Sequence, residues 1–213
     1  MNEEEIVRFF EILAKTYKAS CRIILTGAGA GALYGRIRAT TDLDFALKIQ
    51  ANDAKTYEKD WKDFETAVKD VSLKTGIDTQ YAEDIDRWSS ITLLDYEKHT
   101  YLFKRFGKIE VRLLEPPYWA IGKFGRYLDS DVRDLIHVFQ KTNIRWQVLS
   151  EILGKALNQT PKSTACFQFR KQVENFFNTH GKEVWGRDFT AEEAIRRFHQ
   201  HAGITRLWRF RGA

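Results

Sequence analysis

The sequence predicts an α/β protein of the α+β kind, in which a mixed β-sheet flanked by helices precedes a C-terminal helical extension. Up to about residue 116, segments with helical apolar spacing alternate with segments of strand character. After Pro116-Pro117, apolar residues recur only at helical spacing. We therefore expect two parts, a mixed core over residues 1–116 and a helical region over residues 117–213.

The chain opens with a helix, a strand and a tight turn. Residues 3–19 carry apolar side chains at helical spacing, and Asn2 can cap this helix. Residues 22–26 are an apolar run ending at glycine, as is typical of a buried strand. Residues 27–35 are rich in glycine and alanine, which favours a strand-to-helix turn.

Alternating and periodic segments fill the rest of the first half. Residues 41–48 place Leu43 and Phe45 on one face of a strand and Asp42 and Asp44 on the other. Residues 52–74 resemble a long surface helix. Three more segments are predicted as strands in antiparallel hairpins: 88–94, 100–105 and 108–114.

The second half is predicted to be helical throughout. Thr190 with Glu193 forms a capping-box pattern for the last helix, which Gly203 closes. The preceding helices are expected over residues 118–128, 132–141, 144–158 and 163–179.

Composition narrows the class of protein. With 213 residues and 43% hydrophobic content, the chain can bury a sizeable core. Cys21 and Cys166 form no C-x-x-C pair, which excludes a disulfide scaffold and favours a reducing cytoplasm. The acidic start and the lack of a long apolar run predict a soluble protein without a membrane partner. The net charge of +5 leans slightly towards nucleotide or nucleic-acid partners.

The pair Asp42 and Asp44 is the sharpest chemical feature. Two carboxylates at i and i+2 on a strand share a face and can hold a divalent metal between them. Two acids on the solvent side of a strand are also common without a metal, so the pair alone is weak. Its context strengthens the metal interpretation.

That context lies upstream, where small residues link a strand to a helix. Gly27-Ala28 opens the helix, and a helix N-terminus receives phosphate oxygens through its N–H groups and dipole. Arg38 and Thr40 can add a charge and a hydroxyl. The arrangement indicates a binding site for a nucleoside triphosphate and its magnesium ions.

Gly27-Ala28, followed by Asp42-Leu43-Asp44, resembles the signature hG[GS] and Dh[DE]h of the nucleotidyltransferase superfamily with the DNA polymerase β fold. The run from Gly35 to Asp44 is similar to G-x-x-R-x-T-x-D-x-D of its minimal members. Ala28 stands where Gly or Ser is usual, so any phosphate contact there falls to the backbone. The resemblance implies two Mg²⁺ ions, a nucleoside triphosphate substrate and a third carboxylate on a later strand.

Glu110 is the candidate for that third metal-binding carboxylate, since it lies between apolar residues on a predicted strand. The alternative is a cross-strand ion pair on a solvated face shared with Lys108 and Arg112. Three other acids compete but lie in a stretch that looks like a loop: Asp78, Asp84 and Asp86.

The segment from Lys123 to Leu135 resembles later motifs of AbiEii-like toxin nucleotidyltransferases. The resemblance implies that Lys123 contacts the triphosphate and that Asp131, with Asp134 nearby, orients the site. Ser130 replaces the arginine usual before Asp131. The alternative is that these acids cap and decorate a surface helix.

The expected activity is transfer of a nucleoside monophosphate to an acceptor hydroxyl. Minimal relatives in the resembled family are toxins or defence proteins that modify tRNA, some with a cognate antitoxin protein. The tail at residues 206–211 interleaves arginines with aromatics and can contact RNA. A small-molecule acceptor and AMPylation of a protein stay open.

A non-catalytic binding or antitoxin-like module is the competing function. Ala28 in place of Gly or Ser, and the open assignment of the third acid, favour it. Retention of both Asp42 and Asp44 weighs against it, because two adjacent like charges carry an electrostatic cost that a binding module has no reason to keep.

Overall fold

A computed structural model describes residues 1–35 and 40–204, which fall into two compact units. The sheet unit comprises Met1–Ile85 and Tyr96–Glu115. The helical unit comprises Asp86–Asp95 and the described chain from residue 116 to residue 204. The described residues form a five-stranded mixed sheet and eight α-helices, which confirms the predicted α/β class.

The sheet unit alternates helices and strands before ending in a hairpin. Its elements are α1 (Glu3–Thr16), β1 (Cys21–Thr26), α2 (Gly27–Tyr34), β2 (Asp42–Ile49), α3 (Ala54–Thr75), β3 (Asp78–Ala82), β4 (Thr100–Phe106) and β5 (Ile109–Leu114). The strand order is β3-β2-β1-β5-β4. Strand β1 runs antiparallel to β2 and parallel to β5, while β3 runs parallel to β2.

One face of this sheet forms the core with α1 and α3. Phe45 on β2 and Tyr17 at the end of α1 both pack edge-on against Phe64 of α3. Phe10 of α1 contacts Phe106 of β4. The start of α1 is fixed by the predicted cap, because the Asn2 side chain accepts a hydrogen bond from the Glu5 backbone N–H.

The predicted strand at residues 88–94 is wrong, and its physical reason is local. A 3₁₀ turn over Ile85–Trp88 is followed by irregular chain. The Asp86 carboxylate accepts a hydrogen bond from the Leu93 N–H, and the Ser89 hydroxyl donates to the Ile91 carbonyl. Such side-chain bonds to the backbone compete with strand pairing.

The helical unit confirms the run of predicted helices. These are α4 (Pro116–Arg126), α5 (Asp129–Thr142), α6 (Trp146–Gln159), α7 (Thr164–Trp185) and α8 (Ala191–His201). Aromatic rings fill its core, with Phe176 edge-on against both Phe124 and Phe139. The capping box predicted at Thr190 does not form, since this side chain makes no capping hydrogen bond. Within residues 1–35 and 40–204, no helix has the length and apolar run needed to cross a bilayer.

Candidate functional site

The two aspartates of β2 lie where β1 ends and α2 begins. Asp44 pairs with Thr26, the last residue of β1, and the chain enters α2 at the next residue, Gly27. Asp42 precedes Asp44 by two positions and shares its face. The structure therefore brings Asp42, Asp44 and the bend at Gly27 to the same end of the strands. We call this end of the sheet the β2 edge.

Gly27 approaches the Asp44 carboxylate so closely that no side chain fits between them. Its φ is +64°, and a Cβ added there would lie 1.9 Å from Asp44 Oδ2 and 2.9 Å from Asp44 Cβ. The carboxylate thus meets the N-terminal end of α2, where the helix dipole is positive. A phosphate group arriving at this helix end would enter the same positive field.

Thr40, a predicted nucleotide-binding residue, contacts Asp42. Its buried side-chain hydroxyl hydrogen-bonds to Asp42 Oδ1. This contact orients one carboxylate of the pair. Ala28 has a buried side chain in the first turn of α2, and the predicted ligand Arg38 lies outside the described residues.

Asp78 is an acid of this edge that the sequence reasoning set aside. It is the first residue of β3 and pairs directly with Asp42. Phe45 and Tyr81 stack at 5.3 Å on the core face, so Asp78 shares the opposite, outer face with Asp42. The missed signal was the alternation of Ile77, Thr79 and Tyr81 with polar residues.

Glu110 is not brought to the aspartates. It pairs with Arg22 at the far end of β1, four positions from Thr26, which corresponds to about 13 Å along a strand. Leu25 pairs with Leu113, so the β5 residue nearest Thr26 is Leu114, which is buried and apolar. The register thus places no β5 carboxylate on this face beside Asp44.

An ion-pair cluster holds Glu110 instead, as in the alternative interpretation. Its carboxylate accepts from Arg22 at 3.1 Å, Arg105 at 2.9 Å and Arg112 at 3.1 Å. Burial alone would raise the pKa of Glu110, but hydrogen bonds from Arg112 and Arg105 and the charge of Arg22 together lower it. Glu110 therefore links three strands electrostatically.

The oxygen donors of the β2 edge fit magnesium in chemical type. Mg²⁺ is commonly bound by one or two carboxylates, several waters and the phosphates of its nucleotide. Asp42 and Asp44 supply two carboxylates, and Asp78 offers another from the neighbouring strand. Over the described ranges, no three Asp, Glu, His or Cys side chains are already grouped as a metal site.

Lys123, Asp131 and Asp134 meet between α4 and α5 of the helical unit. Lys123 Nζ donates to Asp131 Oδ1 at 2.9 Å and to Asp134 Oδ2 at 2.6 Å. Only 2% of the Lys123 side chain and none of the Asp131 side chain is exposed. Burial contradicts the idea that Asp131 and Asp134 decorate a solvated surface. The capping part of that alternative is confirmed for Asp131, whose Oδ2 accepts a hydrogen bond from the Leu128 N–H at 3.3 Å at the start of α5.

The electrostatics of this cluster are those of a structural ion pair. Burial alone would raise the pKa of Asp131, but hydrogen bonds from Lys123 and Arg126 outweigh it and lower the pKa. The Lys123 ammonium of α4 thus pairs with two carboxylates of α5. Lys123 and the β2 aspartates belong to different units.

Replacing Gly27 with alanine tests the close approach to Asp44. Gly107, in the β4–β5 turn, is the matched control, because its φ is +59° and an added Cβ meets nothing within 4 Å. Both variants carry the left-handed backbone cost of about 1–2 kcal/mol. We expect Gly27→Ala to lose about 1–3 kcal/mol more, since β2 must shift. Urea unfolding measures both; equal losses would contradict the contact.

Comparison of the chain with protein-family models, with curated proteins and with solved structures finds no match. The chemistry of the β2 edge follows from its own residues. Carboxylates that share a strand face, a hydroxyl that orients one of them and a helix N-terminus form a set suited to a metal-bound phosphate ester.

Proposed function

We propose that the sheet unit is the catalytic core of a magnesium-dependent nucleotidyltransferase, which moves a nucleoside monophosphate from a nucleoside triphosphate to an acceptor hydroxyl. The contact between the Asp44 carboxylate and Gly27 carries this proposal. A carboxylate that lies against the start of a helix supports the proposal, because a nucleotide with its metal needs an acid for the metal and a helix start for the phosphates.

Each residue of the edge has a part in the proposed reaction. Asp42 and Asp44 would hold the metal, which supplies charge neutralisation at the α-phosphate and lowers the pKa of the acceptor hydroxyl. The start of α2 at Gly27 receives phosphate oxygens, and Thr40 keeps Asp42 oriented. Asp78 extends the carboxylate set to β3.

The bond changes follow from in-line displacement at the α-phosphorus. The acceptor oxygen forms a new bond to this phosphorus while the bond to the β-phosphate oxygen breaks. Pyrophosphate leaves, and the hydroxyl proton passes to solvent. An RNA acceptor such as tRNA, and silencing by an antitoxin protein, fit the proposal as features of a toxin or defence protein.

Incubation with each α-labelled nucleoside triphosphate, Mg²⁺ and total cellular RNA tests the proposal. We expect label on RNA together with pyrophosphate release, both lost when EDTA is added. Label on protein would keep the transfer chemistry and contradict the RNA acceptor. Absence of label and of pyrophosphate with all four nucleotides would contradict the transferase itself.

A paired substitution decides which acid completes the carboxylate set. Asp78→Asn should lower the transfer rate about 10²-fold, because it removes a charge beside Asp42. Glu110→Gln should leave the rate unchanged, because Glu110 lies with Arg22, Arg105 and Arg112. Pyrophosphate release measures both rates. The opposite ranking would make Glu110, and not Asp78, the third carboxylate of the site.

A further inference from the structure

An exposed stripe without acids runs along α7. Its members lie within about 80° of one another at 100° per residue and span about 22 Å of helix. They are Phe167, Lys171, Asn175, Asn178 and Lys182, all exposed. We call these five residues the α7 stripe.

The contrast with α3 shows that the stripe is not an ordinary solvated face. Both helices have 22 residues. Helix α3 carries five lysines and five acids, whereas α7 carries three residues of Lys or Arg and two acids. Residues 116–213 contain 16 Lys and Arg against 9 Asp and Glu, while residues 1–115 contain 18 against 20. The positive charge of the protein is therefore concentrated in its second half.

The two acids of α7 have cationic or histidine neighbours. Glu174 accepts from Arg170 at 2.6 Å and contacts His199 of α8 at 2.5 Å. Glu183 lies 3.3 Å from His180. Neither Lys171 nor Lys182 is among the residues these carboxylates contact. The stripe thus presents positive charge to an incoming polyanion.

Phe167 gives the stripe an aromatic surface. Its side chain is 55% exposed, and Lys171 Nζ lies 4.6 Å from the ring centroid. Exposed aromatics interleaved with cations are stacking platforms for the bases of single strands. Asn178 continues the stripe with an amide group, a type of group that hydrogen-bonds to phosphate and sugar oxygens. The Asn175 amide already donates to the Tyr127 hydroxyl at 3.1 Å.

We propose that the α7 stripe binds single-stranded RNA, with the backbone along Lys171 and Lys182 and a base on Phe167. The neighbours of Phe167 favour RNA over an acidic protein. A protein interface would surround the ring with further apolar groups, whereas the other four members of the stripe are amides and lysines. This binding surface goes beyond the proposed transfer reaction and does not depend on it.

Fluorescence anisotropy of the full chain with a labelled single-stranded RNA, without nucleotide or magnesium, tests the surface. We expect binding at low salt that weakens as salt rises. The double variant Lys171→Glu with Lys182→Glu should weaken binding at least about tenfold and flatten the salt dependence. Phe167→Ala should weaken it about fivefold or more through lost stacking.

A matched charge reversal on α3, Lys62→Glu with Lys69→Glu, is the control and should leave affinity nearly unchanged, because both lysines are exposed on the balanced helix. Equal weakening by the two double variants would overturn the proposal, as would a wild-type protein that binds no RNA at low salt. If polyglutamate displaces the labelled RNA as strongly as unlabelled RNA does, the α7 stripe would instead be a surface for an acidic protein. The assay contains no triphosphate, so its failure is distinct from failure of transfer.

Discussion

Asp44→Asn is expected to reduce nucleotidyl transfer by about 10³-fold or more. The substitution keeps the shape that packs beside Gly27 but removes the charge that holds the metal. Asp42→Asn should have a comparable effect, because Asp42 lies on the same face of β2. The rate of pyrophosphate release measures the loss.

Substitution of an acid outside the site is the control for the loss of transfer rate. Asp70 is an exposed acid of α3, and Asp70→Asn should leave the rate unchanged. Circular dichroism should show the same fold for all three variants, since Asn keeps the size and shape of the Asp side chain. Undiminished turnover of Asp44→Asn would refute the assigned metal site.

Lys123→Met is expected to destabilise the helical unit by about 3–5 kcal/mol, because it leaves two buried carboxylates without their ammonium partner. The free energy of unfolding from urea titration measures this loss. A variant that also carries Asp131→Asn and Asp134→Asn should recover part of it, since the buried charges are then removed. A single variant as stable as the wild type would show that Lys123 has no structural part.

The stability difference between wild type and Lys123→Met should also depend on pH, in a direction that the pKa of Asp131 sets. The pKa of Asp131 is lowered in the folded protein, so its contribution is present above the ordinary aspartate pKa and is lost as pH falls through the folded value. The stability gap between wild type and Lys123→Met should therefore narrow at acidic pH. A gap that widens on acidification would contradict the ion-pair interpretation.

The helices and the central strands were predictable because their apolar residues recur at regular helical or strand spacing. The pattern over residues 41–48 predicted β2 and its acid face, and glycine-rich composition predicted the turn into α2. Strand β3 was missed because it is short, with Asp78 and Gln80 exposed. It forms through pairing with β2, which is a tertiary contact that local propensity does not encode.

The position of Glu110 and the burial of the Lys123 cluster depend on tertiary structure, which the sequence pattern does not encode. Glu110 has the expected sequence context, yet the register of β1 with β5 places it beside Arg22 rather than Thr26. Lys123, Asp131 and Asp134 were predicted to act together, and the structure groups them. Burial of all three was not predictable, because packing around α4 and α5 sets it.

The most direct measurement of the central claim is calorimetric titration of the protein with a non-hydrolysable nucleoside triphosphate, in Mg²⁺ and in EDTA. We predict binding that requires Mg²⁺, disappears in Asp42→Asn and Asp44→Asn, and persists in Glu110→Gln. Nucleotide affinity that is the same in EDTA, or the same in the two aspartate variants, would contradict a metal-nucleotide site at the β2 edge.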